Sequence, residues 1–200
     1  RKRKGEIVAG VFSPTTFLAQ LAGGGALQSL FQVTITVPTA LSNTDGVAVY
    51  PYMTKGATFP ESTITATPIS YMGREIQIPG NRESTQWVNT VYNDENFAVR
   101  HMLDDWTQNL NSGHANSRKT NWTIPSIYTG TLKVIGYGKA TTPPDPDDSA
   151  SVETPTTIAT YKFHGVWPSS VGEVTLDWET NEIQEYEVTW EYAYHTREYA

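Results

Sequence analysis

Hydrophobic and polar positions alternate most regularly near the end of the chain. Over residues 182–195, EIQEYEVTWEYAYH, the even positions include Tyr186, Val188, Trp190, Tyr192 and Tyr194, and the odd positions include Glu185, Glu187, Thr189 and Glu191. A side-chain period of two belongs to a β-strand. The pattern predicts one long strand with an aromatic face on a core and an acidic face turned away. Twelve extended residues span roughly 40 Å, more than a small sandwich usually needs. LFQVTITVP repeats the alternation, with Phe31, Val33 and Ile35 on one face and Gln32, Thr34 and Thr36 on the other. Strands are also predicted at 52–59, 85–92, 128–138, 157–166 and 173–178. Residues 62–80 read as two strands around a turn at Met72-Gly73. A second period appears in the middle of the chain. Val99, Met102, Leu103, Trp106 and Leu110 fall at the i, i+3, i+4, i+7 and i+11 positions of one helical stripe. Asn93 is the expected N-cap, Asp94 and Glu95 suit the first turn, and Gly113 supplies the stop. A short helix is expected after Ser13-Pro14, carrying Phe17, Leu18 and Leu21 and ending at Gly23–Gly25. Residues 38–51, with two prolines and Asn43, Asp45 and Gly46, read as a long loop, as do 114–126. Eight or nine strands, one long helix and no regular β-α-β alternation predict a mainly β sandwich or barrel with the helix packed on its outside.

Composition supports sheet over helix, because Thr, Val, Ile and Tyr dominate the patterned stretches. Two hundred residues suit one domain, 1–200. A basic arm, residues 1–13, opens with RKRK, and TTPPDPDDSASVETPT (141–156) is a low-complexity insert expected at a mobile hairpin tip. There is no cysteine, hence no disulfide and no thiolate chemistry. The net charge of −7 argues against a general phosphate-binding surface. It is concentrated at the end of the chain, where Glu173, Asp177, Glu179, Glu182, Glu185, Glu187, Glu191 and Glu198 face only Arg197 in opposition. No apolar run approaches a membrane span, so membrane insertion is not expected. TFLAQLAGGGALQSLF, broken by three glycines, lacks the layout of a signal peptide.

Catalytic patterns are nearly absent. His101, His114, His164 and His195 have no metal-ligand spacing, and GYGKA (136–140) lacks the rest of a phosphate loop. No G-x-S-x-G occurs. Asp104 and Asp105 are adjacent on a helix and diverge. Glu185 and Glu187 share a strand face at roughly 7 Å, but paired catalytic carboxylates usually come from different elements lining a cleft. NWT (121–123) matches a glycosylation acceptor, which has meaning only in a secreted eukaryotic protein. No cofactor, no metal and no enzymatic activity are expected.

The stretch GVWPSSVGEVTLDWETNEIQEYEVTWEYAYH (165–195) resembles the signature of the tail tube protein family of contractile-tailed bacteriophages. Upstream, ISYMGREIQIPGNRESTQWVNTVYNDENFAVRHMLDDW (69–106) is similar to the strand-turn-strand, NDE and helix of that family, and LFQVTI (30–35) to its first strand. The likeness covers some two-thirds of the chain. The basic arm, the loop 38–51 and the insert 141–156 depart from it.

The resemblance implies a structural subunit that forms hexameric rings. Each subunit gives strands to one inner β-barrel, and the rings stack into a hollow tube. The implied partners are further copies of the chain, the tail sheath protein outside, the tape measure protein inside, and baseplate and tail terminator proteins at the ends. DNA would pass through the lumen without specific binding. The implied location is the virion tail, after assembly in the host cytoplasm. A tube subunit of a secretion or phage-derived contractile injection system is the alternative. Within this frame Val99, Met102, Trp106, Tyr186, Val188, Trp190 and Tyr192 are expected in the subunit core. Glu185, Glu187 and Glu191 are expected to face the lumen, where an acidic wall repels phosphates that a basic wall would bind. The other reading leaves these glutamates facing solvent on the tube exterior.

Overall fold

The computed structural model describes residues 14–21, 25–142 and 154–199; the basic arm and most of the insert lie outside the described residues. The elements in chain order are α1 (Pro14–Gln20), β1 (Phe31–Thr36), α2 (Asp45–Met53), β2 (Thr54–Gly56), β3 (Thr63–Tyr71), β4 (Arg74–Glu83), β5 (Trp87–Tyr92), α3 (Ala98–Leu110), α4 (Pro125–Tyr128), β6 (Gly130–Thr142), β7 (Thr154–Val171), β8 (Glu185–Glu191) and β9 (Tyr194–Tyr199). The protein is mainly β. A seven-stranded sheet runs β1-β6-β7-β8-β5-β2, with β9 also paired to β7, and β3 and β4 form a separate hairpin.

The chain divides into two compact units. The smaller comprises residues up to Leu30 and Tyr137–Thr156. Within it, Leu21 N–H closes α1 on the Phe17 carbonyl at 3.0 Å, and Tyr137 N–H donates to the Leu30 carbonyl at 2.9 Å. The larger, Phe31–Gly136 with Thr157 onward, contains the core. There the apolar face of α3, through Val99, Met102, Leu103 and Trp106, shares a cluster with Val33 and Ile35 of β1, Leu132 and Val134 of β6, and Tyr186, Val188 and Trp190 of β8.

One polar chain crosses this core. Trp190 Nε1–H donates to Asn89 Oδ1 at 2.8 Å, and Asn89 Nδ2–H donates to Tyr50 Oη at 2.9 Å. Tyr50 and Trp190 are fully buried and Asn89 nearly so. A buried amide with both ends satisfied costs little, whereas one with an end unsatisfied is expensive. Burial also drives the Tyr50 hydroxyl well above its ordinary range, so it stays neutral.

Several elements differ from the sequence pattern. The stretch 38–51 is not all loop: α2 begins at Asp45. Its turn-forming residues are overridden by packing. A Cβ on Gly46 would lie 2.9 Å from the Ala98 carbonyl and from Val99 Cα, so glycine lets α2 press against the backbone of α3. Tyr50 plugs the same helix into the core. The N-cap of α3 is Phe97, in the left-handed region at φ 53°, rather than Asn93. The Asp94 carboxylate accepts the Ala98 N–H at 3.0 Å and so performs the capping. Asn93 instead extends the β5–β8 ladder, its N–H donating to the Gln184 carbonyl at 2.9 Å. The strand at 52–59 shrinks to β2, and the short helix α4 begins in the last two residues of the supposed loop 114–126 and runs to Tyr128, where the pattern predicts the start of a strand. Residues 173–178 form no strand, because β7 and β8 pair directly and the far side of β5 is taken by β2.

The long strand predicted over 182–195 is two strands. β8 and β9 both pair with β7 in one register, Trp167 opposite Glu191 and His164 opposite Tyr194, but the ladder is interrupted between them. Gly165 has φ +68°, and a Cβ there would meet the Ala193 Cβ at 3.1 Å. The positive φ turns the face of β7, so that Val166 and Phe163, three residues apart, are both buried. The partner strand turns with it. Tyr192 is buried and Tyr194 is exposed, against the simple alternation.

Candidate functional site

The acidic face of β8 is built by alternation. Tyr186, Val188 and Trp190 point into the core, which obliges Glu185, Glu187, Thr189 and Glu191 to the opposite side. Antiparallel β5 matches it residue by residue, with Tyr92 opposite Glu185, Thr90 opposite Glu187 and Val88 opposite Thr189. Of the core residues expected from sequence, Val99, Met102, Trp106, Tyr186, Val188, Trp190 and Tyr192 are all buried.

The three glutamates share one face but have different surroundings. Glu185 forms an ion pair with Lys55 of β2. The hydrogen bond to Glu185 raises the Lys55 ammonium above the ordinary lysine range, and the ammonium also lies 5.5 Å from the centre of the Tyr92 ring. Glu191 is half-buried and accepts from Gln86 Nε2 at 2.6 Å. The Glu187 side chain is exposed; its backbone carbonyl accepts the Gly172 N–H at 2.7 Å. Beside this face, residues 172–184 arch to make a hollow of about 1170 Å³ whose lining includes Lys55, Glu173, Asp177, Glu182, Glu185 and Glu187. Among the described residues no group of three or more histidines and carboxylates is arranged to hold a metal ion. No helix among them is long and apolar enough to cross a membrane.

Sequence reasoning placed the β3–β4 turn but not its most unusual property. Every residue from Ile64 to Glu83 is exposed. Met72 and Gly73, both at positive φ, make the two-residue turn that suits a twisted hairpin. Register puts Thr67, Ile69, Tyr71, Arg74, Ile76 and Ile78 on one face and Ala66, Pro68, Ser70, Glu75, Gln77 and Pro79 on the other. The first face is an apolar stripe, and Ile69, Tyr71 and Ile76 are each about half exposed or more. The available signal was the isoleucine spacing, which calls for a covering surface that the subunit itself does not provide.

The family model for the phage tail tube protein matches residues 26–198. The chain belongs to that family. The chain is similar to tail tube protein gp19 of Enterobacteria phage T4, 29% identical over 141 residues, which is 70% of this chain and 77% of the relative. Among solved structures, the fold is similar to a chain of an extracellular contractile injection system, the PVC sheath-tube complex in its extended state. The TM-score is 0.55 at 11% identity, covering 95% of this chain and 100% of the other. It is also similar to a chain of the anti-feeding prophage baseplate, with a TM-score of 0.53 at 11% identity over 86% and 94% of the two chains. The tail tube subunit described here therefore has a fold that recurs in contractile injection machines, and its role is structural.

Proposed function

We propose that the tube subunit closes into hexameric rings that stack into a hollow tail tube, and that the genome passes through it. The observation that carries this reading is the uncovered hairpin. A two-stranded hairpin is marginal by itself in water, and an apolar face of this extent on a soluble chain marks an interaction surface. A head-to-tail contact with the next copy covers it, and such contacts generate rings when the rotation closes. Closing the sheets into a shared barrel also removes their exposed edges.

In this reading Glu185, Glu187 and Glu191 face the bore. Duplex DNA carries one negative charge per roughly 1.7 Å, so a wall of carboxylates repeated around each ring keeps phosphates from adhering. Lys55 neutralises Glu185 only locally. The sheath protein lies outside the tube, the tape measure protein inside during assembly, and baseplate and terminator proteins at the two ends. The location is the virion tail, assembled in the host cytoplasm. The whole of residues 1–200 acts as one tube domain, with the arm and the insert as appendages. The fold shared with an extracellular contractile injection system favours a second reading, a tube subunit of a secretion or phage-derived contractile injection system.

Purified protein examined by native mass measurement and negative stain tests the proposal. Sixfold rings or stacked tubes are expected. A folded chain that stays monomeric at every concentration contradicts ring formation. Particles with DNA-filled heads separate the phage reading from the injection-system one.

A further inference from the structure

Residues 173–178, EVTLDW, have the alternation of a strand yet pair with nothing among the described residues. Val174 packs against the subunit's own core. Beyond it Leu176 is 75% exposed and Trp178 is fully exposed. The segment has a strand's sequence pattern and a bare aromatic side chain but makes no ladder within the subunit; its backbone bends at Trp178, where Asp177 Oδ1 accepts the Glu179 N–H at 3.0 Å.

The hairpin supplies the complementary half. Its two-residue turn makes Tyr71 and Arg74 a hydrogen-bonded pair, so the N–H and C=O groups of Ser70, Pro68 and Ala66 point outward from β3, and those of Glu75, Gln77 and Pro79 outward from β4. Pro68 removes the donor from the middle of the β3 edge. On β4, Glu75 and Gln77 keep theirs, and Pro79 ends the run toward the hairpin base. The open edge therefore holds two consecutive donor and acceptor pairs, a length that matches Thr175–Trp178.

We infer that Thr175–Trp178 of one subunit adds as a third strand to the outer edge of β4 in the next copy, antiparallel to it. The inference rests on the ring reading and names the seam that closes the ring. In this register Leu176 lies beside Ile76 and Trp178 beside Arg74, on the same face as Ile69 and Tyr71. Thr175 and Asp177 lie opposite Gln77 and Glu75. Arg74 has no ion-pair partner among the described residues, and the Trp178 ring gives its guanidinium a cation–π surface. A third strand with a continuous apolar face converts a marginal hairpin into a stable sheet. Pro79 stops the ladder where Val174 returns to its own core. The register has one cost, the like charges of Glu75 and Asp177.

The chain has no native cysteine, which makes the seam directly testable. Gln77→Cys and Thr175→Cys are placed in separate chains, mixed, assembled and oxidised. A hydrogen-bonded antiparallel pair holds its Cα atoms about 5.5 Å apart, within disulfide reach. A covalent dimer containing one chain of each kind is expected, with none from either variant alone, and a chain carrying both substitutions gives a ladder of multimers. Negative stain of the same samples is read separately. Rings without the cross-link overturn this seam and leave the tube reading standing. A folded parent protein that makes no rings overturns the ring reading and the seam with it. Trp178→Ser leaves thermal stability of the monomer unchanged and raises the protein concentration needed for rings about tenfold or more. Assembly at the parent concentration contradicts the inference. Glu75→Lys, which converts the like-charge pair into an opposite one, lowers that concentration, and a rise contradicts the register.

Discussion

Removing the indole N–H of Trp190 tests how the core is specified. In the parent, Trp190 is fully buried, its ring edge-on to Tyr50 at 6.5 Å and to Trp106 at 5.9 Å, and its Nε1–H satisfies Asn89 Oδ1. Trp190→Phe retains much of the ring packing but leaves the Asn89 carbonyl without its donor in a buried site. The expected cost is about 1–3 kcal/mol, the penalty of one buried unsatisfied group. Trp190→Ala also opens a cavity and costs about 3–5 kcal/mol. At roughly 2–4 °C per kcal/mol for a chain of this size, the Phe variant melts about 2–12 °C lower and the Ala variant about 6–20 °C lower. Combining Trp190→Phe with Asn89→Leu and Tyr50→Phe removes every member of the polar chain, so the triple variant loses less than the sum of the three single changes. Urea unfolding of dissociated subunits, followed by circular dichroism, measures all of these. A Trp190→Phe variant within about 0.5 kcal/mol of the parent refutes the reasoning, because the buried amide would then not depend on this donor.

Gly165→Ala, at φ +68° and facing Ala193 at 3.1 Å, is expected to cost about 1–2 kcal/mol from the left-handed backbone alone, and unchanged urea stability contradicts the paired turn of β7 and its partner strand. His164 and His195 are both lowered from the ordinary value of 6.5, chiefly by desolvation, with Lys162 adding to the first and Arg82 and Arg197 to the second. The folded state then binds fewer protons than the unfolded one just below pH 6.5, so stability falls as pH drops through that window; a double change of both histidines to glutamine flattens the fall, and an undiminished slope contradicts the assignment. Changing Glu185, Glu187 and Glu191 together to lysine leaves the subunit folded, since none contributes to the core, but gives assembled tubes strong, steeply salt-dependent DNA binding. Tubes of this variant with no affinity for DNA at low salt contradict a lumenal position.

The parts of the fold legible in the sequence were those in which local pattern and tertiary packing agree. The stripe Val99–Met102–Trp106, the alternation of 185–191 and the Met72-Gly73 turn each state their structure within a few residues. The missed parts depend on distant partners. α2 forms because Gly46 fits the backbone of α3, although Asp45-Gly46 and Pro51 read as turn signals. The 182–195 alternation is interrupted because Gly165, some thirty residues away, turns the strand it pairs with. The alternation of 173–178 reads as a strand, yet among the described residues the segment pairs with no strand of its own subunit. For the candidate site, alternation identified the acidic face, while its ion pair with Lys55 and the bare hairpin opposite no partner became visible only in three dimensions.

A cryo-electron microscopy reconstruction of the assembled tube tests the central claim most directly. The account predicts sixfold rings in which Glu185, Glu187 and Glu191 line the bore and the apolar face of the β3–β4 hairpin is covered by a neighbouring copy. A reconstruction with these glutamates on the outer wall and the hairpin face bare to solvent contradicts it.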